Sequence, residues 1–135
     1  MPKIIWLLEE TLTAIHHRQI AEHGGSEGLR DEGLLLSALA RPQNLLAYGE
    51  PAPDLASLAA AYAYGIARNH PFVDGNKRTA LVAPRTFLIL NGVDLEAPQD
   101  HKVLTFLNLA EGAISEEELA DWIRKRIQQI VKSAS

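Results

Sequence analysis

Cysteine is absent from the 135 residues of this chain. That excludes disulfides, thiol nucleophiles and cysteine-based zinc sites together. No apolar run approaches the ~18 residues a membrane-spanning helix needs, so no membrane role is expected. The opening stretch from Met1 to Glu10 has a short apolar core and no small-residue cleavage site, so no secretory signal is expected there. These features point to the cytoplasm. An excess of positive charge is missing too. The formal charge is −4, which argues against a general nucleic-acid binder and predicts no direct nucleic-acid partner. Internal repeats, low-complexity tracts and linkers are also lacking. What remains is 47% apolar and 22% charged, the balance of a globular protein, and the length suits one domain over residues 1–135.

The charge is unevenly spread. Between Ile66 and Thr86, four cations (Arg68, Lys77, Arg78 and Arg85) face Asp74 alone, a local +3 that leaves −7 elsewhere. A small basic island on an acidic chain suits a compact anionic ligand. At its centre, His70-Pro71-Phe72-Val73-Asp74-Gly75-Asn76-Lys77-Arg78 gathers an imidazole, a carboxylate, an amide, an ammonium and a guanidinium within nine residues. An apolar helical run, Thr79 to Ala83, follows at once. A loop feeding a helix N-terminus offers free backbone N–H groups and the positive end of the macrodipole, which attract phosphate. Taken singly, His70 reads as a cap, Gly75-Asn76 as a turn and Lys77-Arg78 as solvated charge. In series they read as an active site.

The remaining pattern is helical. A first helix is predicted from about Glu9 to Glu22, with Leu12, Ile15, Ile20 and Ala21 on its apolar side and Gly24-Gly25 as its stop. His16 and His23 on it lie seven apart. Helical metal pairs sit four apart with an acid nearby, so surface or capping roles are expected for these histidines. Asp31 predicts an N-cap for a helix from about Glu32 to Ala40, closed by Pro42. Asp31 and Arg30 read as a cap with a neighbouring surface charge, or as residues reaching the site. Arg41 to Pro53 reads as a loop, in which Leu45, Leu46 and Tyr48 form a satellite core or a docking flap. A helix from Leu55 to Asn69, capped by Asp54, is apolar on nearly every side and belongs at the centre of a bundle. The next runs from about Lys77 to Leu90, with Pro84 inside it predicting a kink. Val93-Asp94-Leu95 reads as extended. A helix near Asp100 to Glu111 follows. Ser115 and Glu118 then form a capping box for a last helix striped by Leu119, Trp122, Ile123, Ile127, Ile130 and Val131. The predicted fold is all-α, about six helices in one bundle with at most short extended segments.

With its nine residues in order, the chain resembles the Fic/Doc family, whose signature is H-P-F-x-[DE]-[GA]-N-x-R at the start of a helix. It is most similar to the death-on-curing (Doc) toxin branch. Gly28 to Leu35, Ser37 to Pro42 and Arg78 to Leu81 support the likeness, which extends from about Ile15 to Trp122. AMP-transferring relatives carry G-N-G-R-x-x-R, whereas this chain has Lys77 at the second glycine and Leu81 at the second arginine. Arg85, one turn further on, is a candidate substitute for that arginine.

The Doc resemblance implies that ATP is bound in the reversed sense, with the γ-phosphate presented for transfer to a protein hydroxyl. It implies His70 as general base, Asp74 on Mg²⁺, Gly75 and Asn76 cradling phosphate through backbone N–H groups, and Lys77 and Arg78 neutralising the transferred group. Phe72 would anchor the loop. It further implies a toxin that phosphorylates a threonine of translation elongation factor Tu and halts translation. AMP transfer and a non-catalytic, antitoxin-binding relative remain the alternatives. The inhibitory helix pattern [ST]-x-x-x-E-[GN] of many Fic enzymes is not met at Glu27-Gly28 or Glu111-Gly112, where His23 and Leu107 hold the Ser/Thr position. Restraint is therefore expected from the peptide tail of a separate, Phd-like antitoxin.

Overall fold

The structure, a computed structural model, describes residues 3–130. Six helices share one hydrophobic core: α1 (Glu9–His23), α2 (Glu32–Tyr48), α3 (Leu55–Asn69), α4 (Asn76–Leu90), α5 (Gln99–Ala110) and α6 (Glu116–Arg124). Two three-residue strands, β1 (Val93–Leu95) and β2 (Ile127–Gln129), pair antiparallel with Leu95 opposite Ile127. The all-α expectation holds. Among the described residues no helix is long and apolar enough to cross a membrane.

Helix α3 is the axis of the bundle. Its run of alanines is buried on every side, with α2, α4, α5 and α6 packed around it. Small residues permit this closeness. A Cβ added at Gly65 would stand 3.2 Å from the Ala38 Cα, so α2 and α3 meet nearly backbone to backbone. Tyr62, fully buried, accepts a hydrogen bond from the Leu7 N–H at 3.0 Å and tilts against Phe87. Burial holds its phenol above the ordinary pKa. The carbonyl end of α3 delivers His70, and α4 starts six residues later. Those two ends create the site.

Asp54 starts α3 by accepting the Ser57 N–H at 2.9 Å, while Arg124 of α6 grips both carboxylate oxygens at 2.6 and 3.0 Å. The Arg124 guanidinium, more than any other neighbour, pulls the Asp54 pKa down to about 2. A depressed pKa stabilises the fold while the carboxylate is charged, and that contribution fades on protonation. Asp54→Ala is expected to lose about 1 kcal/mol at neutral pH, the usual worth of a cap. The gap to the parent should be full above about pH 4, where an unfolded aspartate is ionised, and should close as the pH falls toward 2. Urea unfolding of both proteins across that range checks it. A gap independent of pH would assign the loss to packing.

Two boundaries differ from the sequence reading. Helix α2 passes through Pro42 and runs to Tyr48. A proline in a helix interior forfeits one hydrogen bond and costs ~3 kcal/mol, but here the Pro42 ring is buried and Leu45, one turn on, packs against the core. Leu45, Leu46 and Tyr48 thus belong to a helix, with Tyr48 83% exposed. Helix α4 runs through Pro84, which is buried, to Leu90, the bound the sequence predicts. Helix α6 stops at Arg124. Ile127 and Ile130, predicted on its stripe, lie on and just beyond β2, and Val131 lies outside the described residues. The competing demand comes from β1, whose backbone groups need partners. The Ile127–Gln129 strand supplies them, and the Ile130 N–H adds a bond to the Gly92 carbonyl at 2.9 Å.

Candidate active site

Residues 70–75 form a tight loop between the C-terminus of α3 and the N-terminus of α4, and four internal devices hold it. Phe72 plugs it into the core with 2% exposure. Asn76 turns its amide inward, accepting from the Phe72 N–H at 3.0 Å and donating to the Phe72 carbonyl at 2.9 Å. His16 of α1, itself buried, stacks on Phe72 at a centroid distance of 3.7 Å with planes 4° apart. Its Nε2 donates to the Asp74 carbonyl at 2.8 Å, which fixes the tautomer. Segment 28–31 lies antiparallel beside the loop, joined by Val73 N–H to Gly28 carbonyl at 3.0 Å and Arg30 N–H to Pro71 carbonyl at 2.7 Å.

Two backbone positions are special. His70 caps α3 in the left-handed conformation, φ 48° and ψ 57°. It is the one non-glycine residue with positive φ among the described residues. Holding a side chain there costs on the order of 1–3 kcal/mol. Gly75, φ 76°, starts α4, and a Cβ there would stand 2.9 Å from Ile20 Cδ1. The conformation calls for glycine, and a Cβ would also displace the tip of Ile20.

The result is a cleft of about 420 Å³ lined by His70, Asp74, Gly75, Asn76, Lys77 and Arg78, with Gln19 and Ile20 of α1 as its far wall. The first intrahelical bond of α4 is from the Thr79 N–H to the Gly75 carbonyl. No side chain caps the helix, so the N–H groups of Asn76, Lys77 and Arg78 stand open to an anion. Lys77 and Arg78 are exposed and have no acidic partner among the described residues. Two unneutralised cations beside a bare helix start have the chemistry that suits a polyanion.

The Asp74 carboxylate is the one acid of the cleft. Oδ1 accepts the Gly75 N–H at 2.9 Å and Oδ2 the Ser26 N–H at 3.2 Å. Gly25 brings the chain close: a Cβ there would lie 2.8 Å from Asp74 Oδ2. Each oxygen keeps a lone pair. Among the described residues no cluster of three metal-ligating side chains exists. One carboxylate with free lone pairs fits a hard cation whose other ligands are phosphate oxygens and water, the habit of Mg²⁺.

The sequence-predicted residues His70, Asp74, Gly75, Asn76, Lys77 and Arg78 thus meet in one cleft, with Phe72 beneath it. Arg85 does not join them. Its guanidinium pairs with both Asp94 oxygens at 3.0 and 3.1 Å, which holds the Asp94 carboxyl below its usual range. Asp31 is the cap of α2, accepting the Leu34 N–H. Arg30 reaches the site's frame through the carbonyls of Asn69 and His70. His16 is neither surface residue nor cap: it supports the loop. Its place one turn from Leu12 and one from Ile20, both buried, was the signal for that.

The Fic/DOC family model matches residues 6–88. Over 78 residues the chain is 54% identical to a protein of Mycolicibacterium smegmatis named Toxin Doc, covering 57% of this chain and 59% of that relative. The chain thus matches less than two thirds of the mycobacterial protein's length. Over 116 residues it is 38% identical to Protein kinase doc of Escherichia phage P1, covering 86% of this chain and 90% of the phage protein.

Proposed function

Because the chain belongs to the Fic/DOC family, we propose that it is an ATP-dependent protein kinase acting as the toxin of a toxin–antitoxin pair, in one Fic/Doc-like domain over residues 1–135. The observation that carries this reading is the presence of His70 and Lys77 in the same cleft as the uncapped start of α4. The names of the two relatives, a toxin and a protein kinase, support it.

The chemistry follows from the side chains. A serine or threonine hydroxyl of the target enters beside His70, whose imidazole takes its proton. The freed oxygen attacks the γ-phosphorus in line, and ADP departs. Arg78 as a fork, Lys77 as a point charge and the α4 N–H groups neutralise the equatorial oxygens. Asp74 would hold Mg²⁺, which would supply positive charge to the transferring phosphate. Lys77 stands where AMP-transferring relatives have glycine. A side chain there leaves a phosphate chain less room against the backbone than glycine does, which favours presentation of the γ end. The Doc resemblance makes a threonine of elongation factor Tu the expected acceptor, with arrest of translation as the consequence. It also makes a Phd-like antitoxin tail the restraint, in the cytoplasm.

Incubation with bacterial extract, Mg²⁺ and ATP labelled separately at the α and γ positions tests the reading. Protein labelled only from the γ position is expected. Label from the α position would make the enzyme a nucleotidyltransferase, and no label from either would support a binding role alone.

A further inference from the structure

We infer that Arg30 is a positioning residue for His70, setting the imidazole's direction through the backbone. One residue holds three successive carbonyls. The Arg30 Nε–H donates to the His70 carbonyl at 2.6 Å, the terminal N–H to the Asn69 carbonyl at 2.7 Å, and the main-chain N–H to the Pro71 carbonyl at 2.7 Å. The first two are among the last carbonyls of a helix and its cap, which lack intrahelical partners and carry the negative end of the macrodipole. A planar, permanently charged fork suits two adjacent carbonyls in a way a single ammonium does not. Between them sits the left-handed turn at His70.

That turn runs against local preference twice. A histidine there lacks the freedom of glycine, and a residue before proline is biased toward extended backbone. Relaxation of the turn at His70 would shift its imidazole relative to the cleft, while Lys77 and Arg78, anchored on α4, would stay. Arg30 does not line the cleft. Its side chain therefore governs where the base points and leaves nucleotide binding to others. The backbone bonds from Arg30 and Asp31 to the Pro71 carbonyl survive loss of the side chain, so the loop keeps its attachment in a truncated variant.

The kinetic part of the test rests on the phosphotransfer reading above; an NMR part does not. In Arg30→Ala, kcat is expected to fall by up to about 10²-fold, the cost of a misplaced reacting group. KM for Mg–ATP should stay within about twofold, since uniform binding is untouched. Added guanidinium ion should restore part of kcat in Arg30→Ala and none in the parent. Arg30→Lys should fall between the two. Should Arg30→Ala prove unstable, Arg30→Gln with the same readouts replaces it. In ¹H–¹³C spectra, the His70 ring resonance should shift in the variant, while that of the loop-supporting His16 stays. An unmoved His70 resonance overturns the inference whether or not transfer is detected. So does a loss of rate matched by a rise in KM with no guanidinium rescue. Absence of γ-transfer in the parent with a shifted His70 resonance would fault the kinase reading and support Arg30's role.

Discussion

His70→Ala is expected to lower phosphoryl transfer by about 10²–10⁴-fold, the range for losing a general base, with little change in the fold. The imidazole is exposed at the cap of α3 and, among the described residues, stacks on no aromatic ring. Its removal leaves Asp74, Lys77, Arg78 and the open α4 N–H groups where they were. Binding of Mg–ATP should therefore persist while turnover collapses. That divergence marks a group used in the transition state and not in the ground state. Histidine takes the left-handed turn only a few-fold more readily than most side chains, so unfolding in urea should move by less than about 1 kcal/mol. Initial rates with γ-labelled ATP and calorimetric titration of nucleotide decide it. A loss below tenfold would remove His70 from the role of base.

The second large effect concerns stability. Phe72→Ala is expected to cost about 3–5 kcal/mol, the range for deleting a buried aromatic ring. The ring is 2% exposed and lies flat on His16. Removing it opens a void between the motif loop and α1 and takes away the surface that keeps the His16 imidazole bonded to Asp74. A domain of this size is stable by only about 5–15 kcal/mol, so activity should fall with structure. Val73→Ala, one residue along and 54% exposed, should stay within about 0.5 kcal/mol. Urea midpoints of the two variants, measured together, make the comparison. A Phe72→Ala protein within 1 kcal/mol of the parent would show that the loop is held by hydrogen bonds alone.

Where local signals agreed, the sequence was readable. Leu55 to Asn69 is apolar all round, begins at a good cap and ends before His70-Pro71, and α3 has those bounds. The motif's contents were equally plain, because its polar residues sit together in the chain and need no long-range contact to be grouped. Pro42 misled because a buried ring and the apolar turn beyond it outweigh a lost hydrogen bond, a tertiary balance invisible locally. Ile127 and Ile130 misled because their helical spacing continues that of α6, while β1, which pairs with Ile127–Gln129, lies far away in sequence. His16 was hidden, and Arg30 left between two readings, for the same reason. Their partners, Asp74 and His70, are 58 and 40 residues distant.

The orientation of the triphosphate is tested most directly by a crystal structure with Mg²⁺ and a non-hydrolysable ATP analogue. The γ-phosphate is expected against the start of α4, between Lys77 and Arg78, with its phosphorus facing the His70 imidazole and Asp74 on the metal. An α-phosphate in that place, with the γ-phosphate directed away from His70, would contradict phosphotransfer and return the chain to nucleotidyl chemistry.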